Sequence, residues 1–267
     1  PIFPEFAGDY FLSHSEWQGH LFVTHEGDPA PQKIFPNASG NLQVRNMGLP
    51  ELDTTGIVVS GPSGTTNTYL YAFAFVYTYQ SNDSTFTDRG PVFTNPEAYS
   101  TDTDIDAGAG EVTLVGIPAA FADEDNWDVA AIDIEIYRTI NAGTEFFRVG
   151  TVDLGTTTFT DNVNDSDLVN NLALYTNDGG FSNTPPPRSH YLHVVNDLCY
   201  FAYILSGTDS DRFTVLQSKP GNPNAVPGSF SAFTEQEIKG LSSIYDRPIV
   251  LCEEYIYRID GRVPYPY

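Results

Sequence analysis

Three carboxylates alternate along STDTDIDAGAGE: Asp102, Asp104 and Asp106, with Glu111 close behind. Oxygen donors at alternate positions of a loop can turn onto one hard cation, which makes calcium the candidate metal. The stretch departs from the helix–loop–helix calcium pattern, since Ala107 stands where the turn glycine belongs and Thr113 stands at the twelfth position in place of a bidentate Glu. The plainer reading is a solvated acidic loop. Asp123, Glu124, Asp125 and Asp128 form a second acidic patch, which reads as the start of a short helix, where negative charge is favourable.

Five histidines offer a second route to chemistry: His14, His20 and His25 near the start, His190 and His193 much later. His20 and His25 differ in strand parity, as do His190 and His193, so each pair would face opposite sides of a sheet and share no metal. Surface or strand-edge positions are expected for them. Cys199 and Cys252 have no zinc spacing and sit in apolar runs, where a small buried thiol is the simplest role and a disulfide between them stays open. No GxSxG, HExxH, Walker or GxGxxG run occurs, which leaves nucleophilic, zincin and nucleotide chemistry without residues. Acids and aromatics are spread too evenly to single out a glycosidase pair. Trp17 and Trp127 read as core residues sooner than as sugar platforms. The N-x-S runs at Asn37, Asn82 and Asn164 would matter only in a eukaryotic secreted chain. No enzymatic activity and no cofactor beyond the optional calcium are expected.

Charge narrows the function further. Against 35 Asp and Glu stand 12 Lys and Arg, a formal −23 over 267 residues. Such a chain repels phosphate backbones and anionic membrane surfaces. It suits a surface past which DNA moves without being held. Only 18% of residues are charged and 13% are aromatic, so a folded core is expected. No apolar run approaches the ~18 residues a membrane helix needs, and no membrane insertion by this chain is expected. The start PIFPEF and the end IDGRVPYPY suggest a stretch of a longer polypeptide, truncated at the C-terminus.

The elements that would position these residues are strands. With 22 Gly and 19 Pro scattered along the chain and apolar residues alternating in short blocks, the fold class is all-β. Only PAAFADEDNWDVAA, Pro118 to Ala131, is helix-like. Residues 1–54 hold strands in Trp17 to His25, KIF and NLQVRNMGLP. Residues 55–178 centre on YLYAFAFVYTYQ. There Tyr69, Tyr71, Phe73, Phe75, Tyr77 and Tyr79 face one side, and smaller residues face the other, as in an inner strand buried on both faces. The SNDSTFTDRG stretch after it reads as a polar turn. EVTLVGIP, AIDIEIYRT, TEFFRVGTVDL and TTTFTDNV continue the pattern of a two-sheet sandwich. Residues 179–267 open on the stiff Thr184-Pro185-Pro186-Pro187-Arg188 hinge. YLHVVND, LCYFAYIL, FTVLQS, EIKGLSSIYD and a late IVLCEEYIYRIDG strand follow, in the order of a propeller blade and part of the next. No repeat fixes a blade count.

The middle segment resembles the fibronectin type III-like domain of phage virion proteins. The resemblance rests on the aromatic strand Tyr69–Tyr79, the strand Val112–Pro118, IYRT at Ile136–Thr139, TTTFTD at Thr156–Asp161 and the acidic Asp165–Leu168. The flanks resemble tail tube or nozzle proteins of short-tailed phages, on PPPRSHYLHVVNDLCYFAY, PGNPNAVP and the late strand. The resemblance implies a propeller-like body split by an inserted fibronectin III/Ig-like β-sandwich. It also implies a homo-oligomeric, hexameric ring in the phage tail of a virion, contacting adaptor and other tail proteins, with DNA passing through it without tight binding. Loop acids of the first and third segments would line that channel, and the sandwich would project outward. The alternative is a receptor- or glycan-binding adhesin module.

Overall fold

A computed structural model describes residues 12–25, 30–95, 97–108, 110–120, 127–177, 182–205, 209–260 and 263–266. The protein is nearly all β, 51% strand, in several antiparallel sheets. Its contacts divide it into two compact units. The first comprises residues 1–48, 79–86 and 183–267; the second comprises 49–78 and 87–182.

The first unit contains three four-stranded antiparallel meanders. One uses Leu12–Trp17, His20–His25, Gln32–Pro36 and Leu42–Asn46. The second uses Ser189–Val195, Leu198–Ile204, Thr214–Gln217 and Ser231–Phe233. The third uses Ile238–Ile244, Arg247–Cys252, Ile256–Asp260 and Val263–Pro266. Each begins with the same hairpin. Its two-residue turn has positive φ at both positions: Gln18 and Gly19 (48° and 74°), Asn196 and Asp197 (51° and 59°), Tyr245 and Asp246 (47° and 59°). That backbone matches the right-handed twist of paired strands. At the same distance past each turn come two buried apolar residues, Phe22 and Val23, Tyr200 and Phe201, Ile249 and Val250. The repeat is therefore one of backbone shape and burial, carried by unlike side chains.

The middle meander is buried on both faces. Leu192, Cys199 and Phe201 pack with Phe22 and Met47 of the first meander and its exit. The opposite face, through Val195, Tyr200, Ala202 and Val215, packs on Ile238, Val250, Tyr257 and Ile259 of the third. Side chains stitch neighbouring sheets together. Ser13 Oγ donates to the Leu192 carbonyl at 3.1 Å, and Ser15 Oγ accepts from the Val194 amide at 3.0 Å. At the turns, Trp17 Nε1 donates to Asp197 Oδ1 at 2.8 Å, and the Asn196 amide donates to the Asp246 carbonyl.

The second unit has a five-stranded sheet in the order Phe146–Asp153, Ile132–Thr139, Tyr71–Ser81, Ser84–Arg89, with Phe93–Thr94 also on Tyr71–Ser81. A three-stranded sheet runs Thr158–Asp161, Val112–Val115, Val58–Ser60. Residues 71 to 77 are buried on both faces, as the aromatic and small alternation requires.

Several expectations change. The aromatic strand does not start at Tyr69. Asn67–Tyr69 pairs with Tyr99–Thr101, and the chain changes sheets at Leu70, whose amide donates to Thr139 Oγ1 at 3.1 Å. SNDSTFTDRG is a tight turn at Asn82 followed by a strand, Ser84–Arg89. IVLCEEYIYRIDG is two antiparallel strands, reversed where the Cys252 amide donates to the Tyr255 carbonyl at 2.9 Å. In the helix-like stretch only Val129–Ala131 forms a 3-10 turn; residues 121–126, with Asp123, Glu124 and Asp125, lie outside the described residues.

Candidate functional site

The motifs that carry the resemblance meet at one buried ion network. Arg138, the arginine of IYRT, is wholly buried on the strand Ile132–Thr139. Its Nε lies 2.7 Å from Asp161 Oδ2, its Nη1 2.8 Å from Asp165 Oδ1, and its Nη2 donates to the Val163 carbonyl at 2.5 Å. Asp161 ends the TTTFTD strand, and Asp165 opens the one-turn helix Asp165–Leu168, which Asn164 caps through the Asp167 amide. The Tyr71 hydroxyl donates to Asp161 Oδ2 at 2.8 Å, and the guanidinium sits 4.8 Å from the Tyr69 ring centre. Burial works against the Arg138 charge, but Asp161, Tyr71 and Asp165 together outweigh it and the pKa rises. Burial and Asp161 together hold the Tyr71 hydroxyl protonated far above its ordinary range.

Three residues earlier on the same strand, Glu135 organises a second network. Arg89 donates to it through Nε at 2.8 Å and Nη2 at 3.1 Å, Arg148 Nη1 at 2.9 Å, and the Tyr137 hydroxyl at 2.5 Å. Burial pushes the Glu135 pKa up, but the Arg89 and Tyr137 hydrogen bonds prevail and the carboxyl ends below its usual value.

These two networks decide the electrostatics. The second unit holds 20 Asp and Glu and three cations, Arg89, Arg138 and Arg148, so it carries −17 of the chain's −23; it has no Lys or His. Each of the three arginines is tied to a buried carboxylate. The outward surface of this unit is anionic without an unpaired arginine. The first unit holds 15 acids against nine Lys and Arg, only −6.

The alternating aspartates take separate partners. Asp102 Oδ1 accepts from the Thr65 and Thr66 amides at 2.8 and 3.0 Å and from Thr66 Oγ1 at 2.8 Å, bonds that lower its pKa. Asp104 accepts from Asn67 Nδ2 at 2.9 Å, and Asp106 from the Gly110 amide at 3.2 Å. Asp104 and Asp106, with Asn141, Asn164 and Asp165, line an open polar cleft of about 340 Å³ that Asp102 does not join. Among the described residues no group of three His, Cys, Asp or Glu is placed to hold a metal.

His14 is exposed, but His20 and His25 are buried. His20 lies among Phe22, Phe35, Tyr79 and Phe86, with its Nε2 3.2 Å from the Tyr79 hydroxyl. Polarity alone made it look like a surface residue; the aromatic residues Tyr79 and Phe86, contributed from far along the chain, enclose it. Cys199 and Cys252 are free thiols, Cys199 fully buried. Trp127 is core, edge-on to Tyr77 at 5.0 Å. The asparagines of the N-x-S runs serve backbone turns: Asn37 accepts from the Ser39 and Asn41 amides, Asn82 takes positive φ, and Asn164 is a helix cap. The sequence reading missed Glu135 and Arg138. Their signal was the scarcity of cations between residues 49 and 182, which forces each arginine into a specific role.

No protein-family model matches the chain, and no curated protein does.

Proposed function

We propose that this protein is a non-enzymatic structural component of a phage tail, a nozzle or tube element that rings the DNA exit path and anchors adaptor and other tail proteins in the virion. In this reading the three meanders are consecutive propeller blades, their first strands adjoining and their sheets stacked face to face. The second unit is the inserted fibronectin III-like sandwich. Its large sheet runs in the G-F-C-C′ order of immunoglobulin-like domains, although the smaller sheet takes an outer strand, Thr158–Asp161, from beyond the last strand of that order.

The observation that carries the function is the commitment of all three arginines of the second unit to buried carboxylates. A wall of this composition offers phosphates only arginines already paired with carboxylates, so a duplex slides past it; a basic wall would hold each turn. In this reading the second unit, which carries most of the anionic excess, supplies that wall in place of the body loops.

Electron microscopy of purified assemblies and of particles containing the chain tests this directly. The expected result is a ring whose bore is lined by carboxylates, with no retention of duplex DNA in gel-shift assays at low salt. A bore rich in Lys and Arg, the lack of a bore, or tight DNA binding would overturn it.

A further inference from the structure

A titratable ring sits in the seam between the middle and third meanders. His193 stands directly opposite Tyr200 across the pair Ser189–Val195 and Leu198–Ile204, and two residues before Val195. It therefore lies on the side where Val195, Tyr200 and Ala202 pack against Ile238, Val250, Tyr257 and Ile259. The strand Ile238–Ile244 lies against both strands of that pair. His193 Nε2 is withdrawn from solvent and has no hydrogen-bond partner among the described residues. A neutral imidazole tolerates this, because its proton can sit on Nδ1 and leave Nε2 a bare lone pair. A protonated ring puts an N–H and a positive charge where nothing accepts them.

The surrounding groups do not answer that charge. Tyr191, Tyr200, Cys252 and Tyr257 share the seam. Burial pushes the Tyr200 hydroxyl up to about 12 and raises Tyr257 and the Cys252 thiol, so these three stay neutral. Glu235, Asp246, Glu253, Glu254 and Asp260, around the third meander, are exposed. Glu237 holds Lys239 at 2.8 Å, and Asp197 at the middle turn accepts from Trp17. Exposed Arg247 and half-buried Arg258 pair beside Ile244 and Ile249, and Arg258 binds Asp260. Burial lowers the His193 pKa.

We propose that this seam is a pH-operated joint, in which proton uptake at His193 loosens the third meander from the middle one while the first stays in place. In the loosened state the ring meets water and titrates near the ordinary histidine value of ~6.5. Above that value both states hold a neutral ring and the joint is closed. As pH falls through it, the loosened state gains a proton that the packed state refuses. Opening then becomes up to about tenfold easier per pH unit, until the packed ring titrates too.

Imidazole NMR titration of the full chain is expected to show His193 taking its proton below ~6.5. Amide hydrogen exchange, corrected for its intrinsic pH dependence, is expected to show the strands Arg247–Cys252 and Ile256–Asp260 opening up to about tenfold more at pH ~5.5 than at pH ~7.5. The strand His20–His25 of the first meander should not share that change. His193→Gln and His193→Leu, neither of which takes up a proton there, should each abolish it. A ring that titrates at or above ~6.5, third-meander opening that does not rise toward acid pH, or a rise that both variants retain overturns the proposal. The titration needs no substitution, so it decides even where a variant fails to fold.

Discussion

Arg138 Nε lies 2.7 Å from Asp161 Oδ2, with both side chains wholly removed from solvent. Residues 23 positions apart in the sequence thereby fasten the large sheet of the second unit to the small one. Removing one partner strands the other as a buried charge. Arg138→Met or Asp161→Asn should therefore destabilise the second unit by about 3–5 kcal/mol. Asp165→Asn should do less, because Asp165 is partly exposed. Urea unfolding followed by Trp127 fluorescence in a Trp17→Phe background reads this unit alone. An Arg138→Met, Asp161→Leu pair that is less stable than either single variant would contradict the assignment.

Asp133 and Asp153 face each other across paired strands. Burial, then the Asp153 and Glu135 charges, raise the Asp133 pKa. A raised carboxyl destabilises the fold while ionised, and the penalty fades as pH falls through its folded pKa. Asp133→Asn should thus stabilise at pH 7 by about a few tenths of a kcal/mol, the screened end of the range for like charges across strands, and should bring no gain once the pH lies below the carboxyl range. Glu135, whose pKa is lowered, behaves oppositely. Its contribution is full above the ordinary carboxyl value and lost as pH drops through the folded one. Glu135→Gln should then flatten the acid limb of a melting-temperature profile.

Gly48 has φ +74°, and a Cβ there would stand 2.6 Å from the Asn224 carbonyl oxygen and 2.7 Å from Pro185 Cα. Both obstacles are backbone and cannot swing away. Gly48→Ala should cost more than about 1 kcal/mol in the first unit, seen in Trp17 fluorescence in a Trp127→Phe background. An unchanged unfolding midpoint would show that the backbone there relaxes freely.

The second unit, at −17, has 17 more acids than cations, so its charges repel one another. Raising sodium chloride from about 10 mM to about 1 M, which shortens screening from ~30 Å to ~3 Å, should raise its melting temperature. The first unit, at −6, should respond less. Equal responses in the two tryptophan reporters would argue against the charge partition.

Local features of the fold were readable where one strand carries its own instruction. Tyr71 to Tyr77 alternate large with small and are buried on both faces, and Asn196-Asp197 announces a tight hairpin. What escaped was set by distant partners. The break at Leu70 depends on Thr139 accepting a stray amide. The burial of His20 depends on Tyr79 and Phe86. The threefold recurrence of meanders hid because Gln18-Gly19, Asn196-Asp197 and Tyr245-Asp246 share positive φ but no residue common to all three. Asp161 and Asp165 stood in quoted motifs, yet nothing in their spacing named Arg138 as the cation between them. The aspartates at 102, 104 and 106 drew notice by regularity alone, and each settled on a different backbone or amide neighbour.

Tyr79 and Phe86, carried on a hairpin whose remaining residues belong to the other unit, complete the aromatic enclosure of His20, with Lys33 4.3 Å from the Tyr79 ring centre. The interrupting segment is thus no interchangeable cassette. Splicing out residues 49–182 would take Tyr79 and Phe86 with it and strip the roof from a buried histidine and a buried lysine, so the first unit cannot keep its aromatic pocket once that stretch is removed.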